Sequence, residues 1–213
     1  MSLEVRTIVT SRGMFEENCH IVFCSETKEG AVIDPGGFSE ADTAAIAKVI
    51  ASLGLNIRHI LNTHGHLDHI GGNLALKRAT SAQILVHKDD APMLANKVLN
   101  GSAIFGLAIE SPEADCLLAD GDTVAVGKSE FRVLHTPGHT KGSVCFAAPG
   151  LVFSGDTLFA GGIGRTDLPG GSLEEELFSI RNKLFALPEN TVVYSGHGPA
   201  TSIGAEKQFN PYV

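Results

Sequence analysis

Cysteine is scarce in this 213-residue chain. Cys19, Cys24, Cys116 and Cys145 show no C-x-x-C spacing and are too few for a disulfide framework at this length. They read as apolar filler, Cys19 and Cys24 within the strand-like stretch "NCHIVFC". Long apolar runs are missing too. Nothing approaches the roughly 20 residues that cross a bilayer, and "MSLEVRTIVT" has no basic-then-apolar leader pattern. Positive charge is in deficit, 16 Lys and Arg against 24 Asp and Glu, for a formal net charge of -8. Such a field repels nucleic-acid phosphates and anionic lipid, so neither nucleic acid nor membrane is an expected partner, and a cytoplasmic location is expected. No Ser- or Pro-rich linker and no block of like charge marks a boundary. With 43% hydrophobic and 19% charged residues, one globular domain over 1–213 is expected.

What is present alternates between strand and helix patterns. "VRTIV", "CHIVFC" and "GAVIDPGG" are short β-branched or apolar runs closed by turn formers. Ser39 and Asp42 make an N-terminal cap, Ile46, Val49, Ile50 and Leu53 recur on one helical face, and Gly54 supplies the stop. "NIRHIL" then runs as a strand into a histidine-rich loop, followed by a short helix near 72–79 and the strand "QILVH". A further helix is expected from Asp90 and Pro92, and Asn96 to Cys116 reads as a connecting loop. "TVAV", "EFRVLH", "SVCFAA" and "LVFSG" are strands. Ser172 and Glu175 form a capping box for a helix whose Leu173, Leu177, Ile180 and Leu184 face one way. "TVVYS" is a last strand, and 202–209 forms a terminal helical turn or two. Two blocks of similar order without residue-level repetition predict an α/β sandwich of sheets flanked by helices.

The chemistry is concentrated at strand ends. "NTHGHLDHIG" places His64, His66, Asp68 and His69 within six positions. His64 and His66 alternate, so in an extended segment both rings point to one side, with Asp68 able to follow. A lone histidine is an ordinary polar loop residue; four donors together are not. His139, Asp156 and His197 each follow an apolar strand beside glycine, where a rigid sheet fixes a side chain and glycine permits close approach. Seven donors exceed what a single tetrahedral zinc with an open position uses, which suggests two metals with a carboxylate bridging them. The count does not choose between Asp156 and Asp68 as the bridge.

These residues carry a resemblance. From "AVIDPGG" through "THGHLDH", "TPGHTKGS", "SGDTLF" and "SGHGP", the chain resembles the metallo-β-lactamase superfamily over nearly its whole length. Its stretch "GGIGRTDLPGGS" is similar to that of the small glyoxalase II-like hydrolases (hydroxyacylglutathione hydrolase-like) and of the persulfide dioxygenases. The resemblance implies a four-layer αβ/βα sandwich with two mixed β-sheets. It implies two divalent metal ions, His64, His66 and His139 on one, Asp68, His69 and His197 on the other, and Asp156 bridging. Between the ions the family holds a water whose pKa falls to about 7. Zinc is the first choice, although imidazole and carboxylate ligands also accept iron or manganese. Asp68 and Asp156 are the catalytic carboxylates of this reading, Asp68 orienting the attacking hydroxide or moving its proton.

The expected activity is hydrolysis of a small-molecule thioester such as S-lactoylglutathione. The alternatives are a mononuclear iron persulfide dioxygenase, whose metal set is two histidines and one aspartate, and a lactonase. His69 departs from the usual class B β-lactamase pattern, which makes antibiotic hydrolysis the lesser prospect. The family's RNA-processing nucleases share the histidine motif, but an acidic chain does not suit their substrate. The chain ends soon after His197, so the C-terminal helical glutathione-binding domain of full-length glyoxalase II is not expected. Arg165 stands where the resemblance places a basic residue near the leaving thiol, and a structural ion pair with Asp167 is the equal alternative. Ile104 and Phe105 are either a lid over the metal mouth or core packing. Tyr194 and Lys141 are left outside the catalytic set, and His20, His59, His87 and His135 have no partners nearby in sequence.

Overall fold

The computed structural model describes residues 3–11, 13, 15–109 and 111–213. Met1 and Ser2 of the N-terminal stretch, and Glu110 of the 96–116 segment, lie outside them. The first sheet runs in chain order through β1 (Leu3–Thr10), β2 (Glu17–Cys24), β3 (Glu29–Ile33), β4 (Asn56–Leu61), β5 (Gln83–His87) and β6 (Cys116–Leu118). β1 to β3 pair antiparallel and β3 to β6 parallel, so the sheet is mixed. The second sheet contains β7 (Thr123–Val126), β8 (Ser129–His135), β9 (Val144–Ala148) and β10 (Leu151–Gly155). A two-stranded ribbon, β11 (Leu158–Phe159) and β12 (Gly162–Ile163), leaves it before β13 (Val192–Ser195) and β14 (Thr201–Ser202) complete the order β14-β13-β10-β9-β8-β7. Only β10 and β13 run parallel within this second sheet.

Three apolar clusters fix the layers. Because side chains alternate across a strand, Val22, Ile33, Leu61, Phe131, Phe146 and Phe153 meet between the two sheets. Their neighbours Ile21, Phe23, Val32 and Ile60 point outward, under α1 (Glu40–Leu53) and α3 (Asn73–Thr80), against Ile46 and Leu76. On the far side Cys145, Val152 and Val193 pack under Ile180 and Leu184, which continue α4 (Leu173–Ser179), and under Ile203 of α5 (Ile203–Phe209). Helix, sheet, sheet, helix is the four-layer sandwich that was expected. Both faces of β2 are covered, which is why all eight of its residues are buried.

Several local expectations change. The histidine-rich segment is not all loop: Leu67–Ile70 forms a one-turn helix, α2, with His66 before it. The helix expected from Asp90 is only a single tight turn, Ala91–Met93, because the Asp90 carboxylate accepts from Gly65 N, Thr140 Oγ1 and Gly142 N instead of capping. Ser172 Oγ does accept from Glu175 N, yet Leu173 is exposed and Glu176 is the buried residue of that turn. Two features turn this face inward. The Gly138 backbone lies so close to Glu176 that a Cβ there would strike its amide, and Ile180–Leu184 widens into a π-turn that shifts the apolar register. α1, by contrast, has a reciprocal capping box between Ser39 and Asp42 and a left-handed Gly54 stop.

Candidate metal centre

The C-terminal ends of β4, β8, β10 and β13 meet at one edge of the sandwich. His64 lies just past β4, with His66, Asp68 and His69 carried onward by α2; His139 follows β8, Asp156 follows β10 and His197 follows β13. One nitrogen or oxygen from each of His64, His66 and His139 falls within 4.8 Å of the others, as do those of Asp68, His69 and His197, and of His64, His69 and Asp156. All seven residues singled out in the sequence therefore converge. Asp68 does not follow His64 and His66; α2 rotates it to the side of His69 and His197. Gly196 makes the crowding possible, since a Cβ there would strike Asp156 Oδ1 and the His69 ring.

Outer partners fix the imidazole tautomers. A carbonyl only accepts, so the Arg165 carbonyl, 2.7 Å from His139 Nδ1, places the proton on that nitrogen. The Glu16 carbonyl does the same for His197 Nδ1 at 3.3 Å. Thr63 donates its hydroxyl to Asp34 at 2.6 Å, which leaves its oxygen to accept from His64 Nδ1 at 3.1 Å. His69 Nδ1 lies 3.0 Å from Asp34 Oδ2 as an ion pair, with neither ring nitrogen completing a hydrogen bond. In His64, His139 and His197 the outer contact leaves Nε2 as the nitrogen that faces the cluster, the arrangement in which a histidine ligates a metal. His66 turns Nδ1 inward, 2.9 Å from His139 Nε2.

The electrostatics divide the site in two. Burial, reinforced by the neighbouring imidazoles, holds His64 well below its ordinary value and His66 down to about 3. Burial also opposes charge on His69 and His197, but there the acids prevail. Asp156, Asp34 and Asp68 raise His69, and hydrogen bonds to Asp156 and Asp68 raise His197 to about 10. Asp156, against its own burial, is held well below the carboxylate range by His69 and His197. Without a cation the surrounding acids favour protons on His69 and His197, and a bound cation would displace them. His64 Nε2, His69 Nε2 and Asp156 Oδ1 are buried without a hydrogen-bond partner. Buried polar atoms left this way are costly unless something else binds them, and imidazole with carboxylate is a donor set for divalent cations. The residues fit the metals.

The remaining candidates separate. Arg165 makes a two-pronged, exposed ion pair with Asp167 at 2.8 Å and also lines the cleft over the site. Ile104 and Phe105 are exposed cleft residues rather than core. Tyr194 packs in the sheet core. Of the four histidines set aside, His20 bridges Thr7 and the Ser195 carbonyl, and His87 stacks on His135 with ring centroids 4.1 Å apart. Their partners come from other strands. Single-residue reading missed Asp34, which holds Thr63 and His69, and Asp90, which ties the His64–His66 loop to the His139 loop.

The family model described as the metallo-beta-lactamase superfamily matches residues 12–197. The chain belongs to the metallo-β-lactamase superfamily. That superfamily consists mostly of metal-dependent hydrolases, and its fold binds divalent metals. Hydroxyacylglutathione hydrolase GloC of Haemophilus influenzae is 37% identical over 207 residues, covering 93% of each chain. The crystal structure of BLEG-1 B3 metallo-beta-lactamase matches with a TM-score of 0.91 at 38% identity, covering 98% of this chain and 99% of that one. TTHA1623 in a di-iron-bound form matches with a TM-score of 0.83 at 35% identity, over 97% and 100%. Among the described residues, no helix of this superfamily member is long and apolar enough to cross a membrane.

Proposed function

We propose that this chain is a binuclear metal-dependent hydrolase of thioesters, acting on S-lactoylglutathione or a related S-acyl thiol. The observation that carries the proposal is the pair of donor trios with Asp156 reaching both: its Oδ1 lies 3.4 Å from His69 Nε2 and its Oδ2 3.6 Å from His139 Nε2 and 3.5 Å from His197 Nε2. In this reading His64, His66 and His139 would hold one ion, Asp68, His69 and His197 would hold the other, and Asp156 would serve both. Zinc is the proposed metal. When bound, such ions make hydroxide available near neutral pH and polarise a carbonyl.

The chain's own groups do the rest. Asp68 presents a carboxylate at the cleft floor, with Oδ2 3.5 Å from His197 Nε2, where it orients the attacking oxygen and takes its proton. A thiolate leaves without full prior protonation, so this cleft needs no separate acid at the leaving group. Arg165, at the rim, is proposed to meet a carboxylate on the thiol portion in exchange for Asp167. The name of the Haemophilus relative supports a thioester; the likeness to a B3 enzyme keeps β-lactams in the assay panel.

Metal analysis of purified protein beside a panel of thioesters, lactones and β-lactams tests the reading. Thioester turnover with two ions per chain is expected, and Asp156→Ala should lower kcat/KM by about 10³-fold or more, as loss of a shared charge-stabilising group does. One iron per chain, with oxygen consumed on addition of a thiol persulfide, would replace this reading by the dioxygenase one.

A further inference from the structure

The wall of the metal cleft contributed by residues 98–105 is built to display apolar surface, not to bury it. Among the described residues ten large hydrophobic side chains are exposed, and four of them, Val98 (69%), Leu99 (41%), Ile104 (70%) and Phe105 (53%), fall in this one segment. All four line the cleft of about 540 Å³ that also contains His66, Asp68, His139, Asp156 and His197. Such clustering is unlike the scattered single hydrophobics of an ordinary surface.

The segment is held in place. Asn100 is fully buried; its side chain donates to the Met93 carbonyl at 3.1 Å and accepts from Ser102 N at 2.9 Å. Its carbonyl accepts from Leu67 N at 3.0 Å, which ties the wall to the residue between His66 and Asp68. Gly101 and Gly106, both in the left-handed region, bracket the turn that presents Ile104 and Phe105. The Phe105 ring then meets Phe15 edge-on at 5.1 Å, and Phe15 meets Phe38 at 5.6 Å. A segment so anchored keeps its apolar side chains over the metal residues instead of collapsing into the core.

The opposite wall differs in charge. Arg165 is the one Lys or Arg among the described residues lining the cleft, and it stands with Ile163, Leu168 and Pro169. A substrate in the cleft therefore meets the apolar 98–105 surface and, beside Ile163, Leu168 and Pro169, a single guanidinium that is paired with Asp167.

We infer that the acyl group of the substrate lies against the 98–105 wall and is an apolar aliphatic or aromatic chain, longer than a two- or three-carbon polar acyl group, with the thiol portion toward Arg165. The inference rests on the thioesterase reading and narrows its substrate from the lactoyl thioester to the related S-acyl thiols whose acyl chain is apolar. The reaction itself is unchanged: the oxygen of water bonds to the acyl carbon, the carbon–sulfur bond breaks, and a free acid and a thiol leave. Hydroxyl-bearing acyl groups such as lactoyl place a polar group against a surface with no partner for it.

The test is a series of acetyl, butanoyl, hexanoyl and lactoyl thioesters of one common thiol, assayed with the metal-loaded protein. A methylene moved from water onto an apolar wall contributes roughly two- to fourfold in kcat/KM. Hexanoyl should therefore exceed acetyl by about 15-fold or more, and the slope should flatten in the double variant Ile104→Ser, Phe105→Ser. A hydrophobic dye displaced by hexanoate from the metal-free protein, and bound more weakly by that variant, reads the same surface without turnover. A flat series, or lactoyl turned over best, overturns the inference and leaves the thioesterase reading standing. So does a slope that survives the double variant. No turnover of any thioester sinks both.

Discussion

Glu176 is fully buried beside the metal centre. Burial is the larger cause that pushes its carboxyl up to about 9, with the Asp156 charge adding to it; the amides of His139 and Gly164 oppose without completing a hydrogen bond. The unfolded chain gives up this proton near 4.5 while the folded chain keeps it to about 9, so stability falls as pH rises across that window. Glu176→Gln keeps the shape and removes the titration. Urea unfolding at pH 8 should show a gain of about 5 kcal/mol, shrinking to nothing at pH 4; an equal effect at both pH values would show that packing, not charge, is responsible. The seven converging donors were legible because histidine and aspartate stood in unusual density or beside glycine at strand ends. Glu176 gave no such sign, and Asp34, although it ends the strand in "AVIDPGG", stood alone there. A lone acid reads like any solvated one until its partner is known, and Thr63 is 29 positions from Asp34, Thr140 50 from Asp90.

At the scale of elements, α1 lies on the outer face of the first sheet and owes its start to Ser39, whose hydroxyl accepts from Asp42 N at 3.2 Å. Ser39→Ala should cost about 1 kcal/mol in urea unfolding and leave hydrolysis unchanged, because the helix does not touch the metal edge. Loss of activity in step with the cap would mean that α1 is coupled to the site. Strands were readable where apolar residues ran continuously or alternated over four residues or more, as in "CHIVFC" and "EFRVLH". α2 was not readable: four residues make a single turn, too short for a period, and its sequence is dominated by polar donors whose burial depends on convergence. β6 failed similarly, being three residues long with Cys116 and Leu117 exposed. Leu173 shows the limit of a helical stripe. It opens α4 at the surface, and its turn buries Glu176 against Gly138 instead.

Across the whole molecule, two sheets bring Asp34, Asp68 and Asp156 to one buried edge with His69 and His197 between them. Anything that binds only the folded state stabilises it, by about 4 kcal/mol at a thousandfold excess over its dissociation constant. Chelator treatment should therefore lower the melting temperature by several degrees, and added zinc should restore it; an unchanged melting curve would mean that the protonated histidines alone hold the acids together. The layer order was foreseeable from the succession of strands and helices, whereas spacing alone left open that α2 turns Asp68 toward His69 and His197. The most direct measurement is a calorimetric titration of chelator-stripped protein with zinc in two buffers of different ionisation enthalpy. Two equivalents per chain, with protons released as His69 and His197 give theirs up, and no more than one tight equivalent in Asp156→Ala, is the predicted result. A single equivalent indifferent to Asp156→Ala, or no binding at all, would contradict the account.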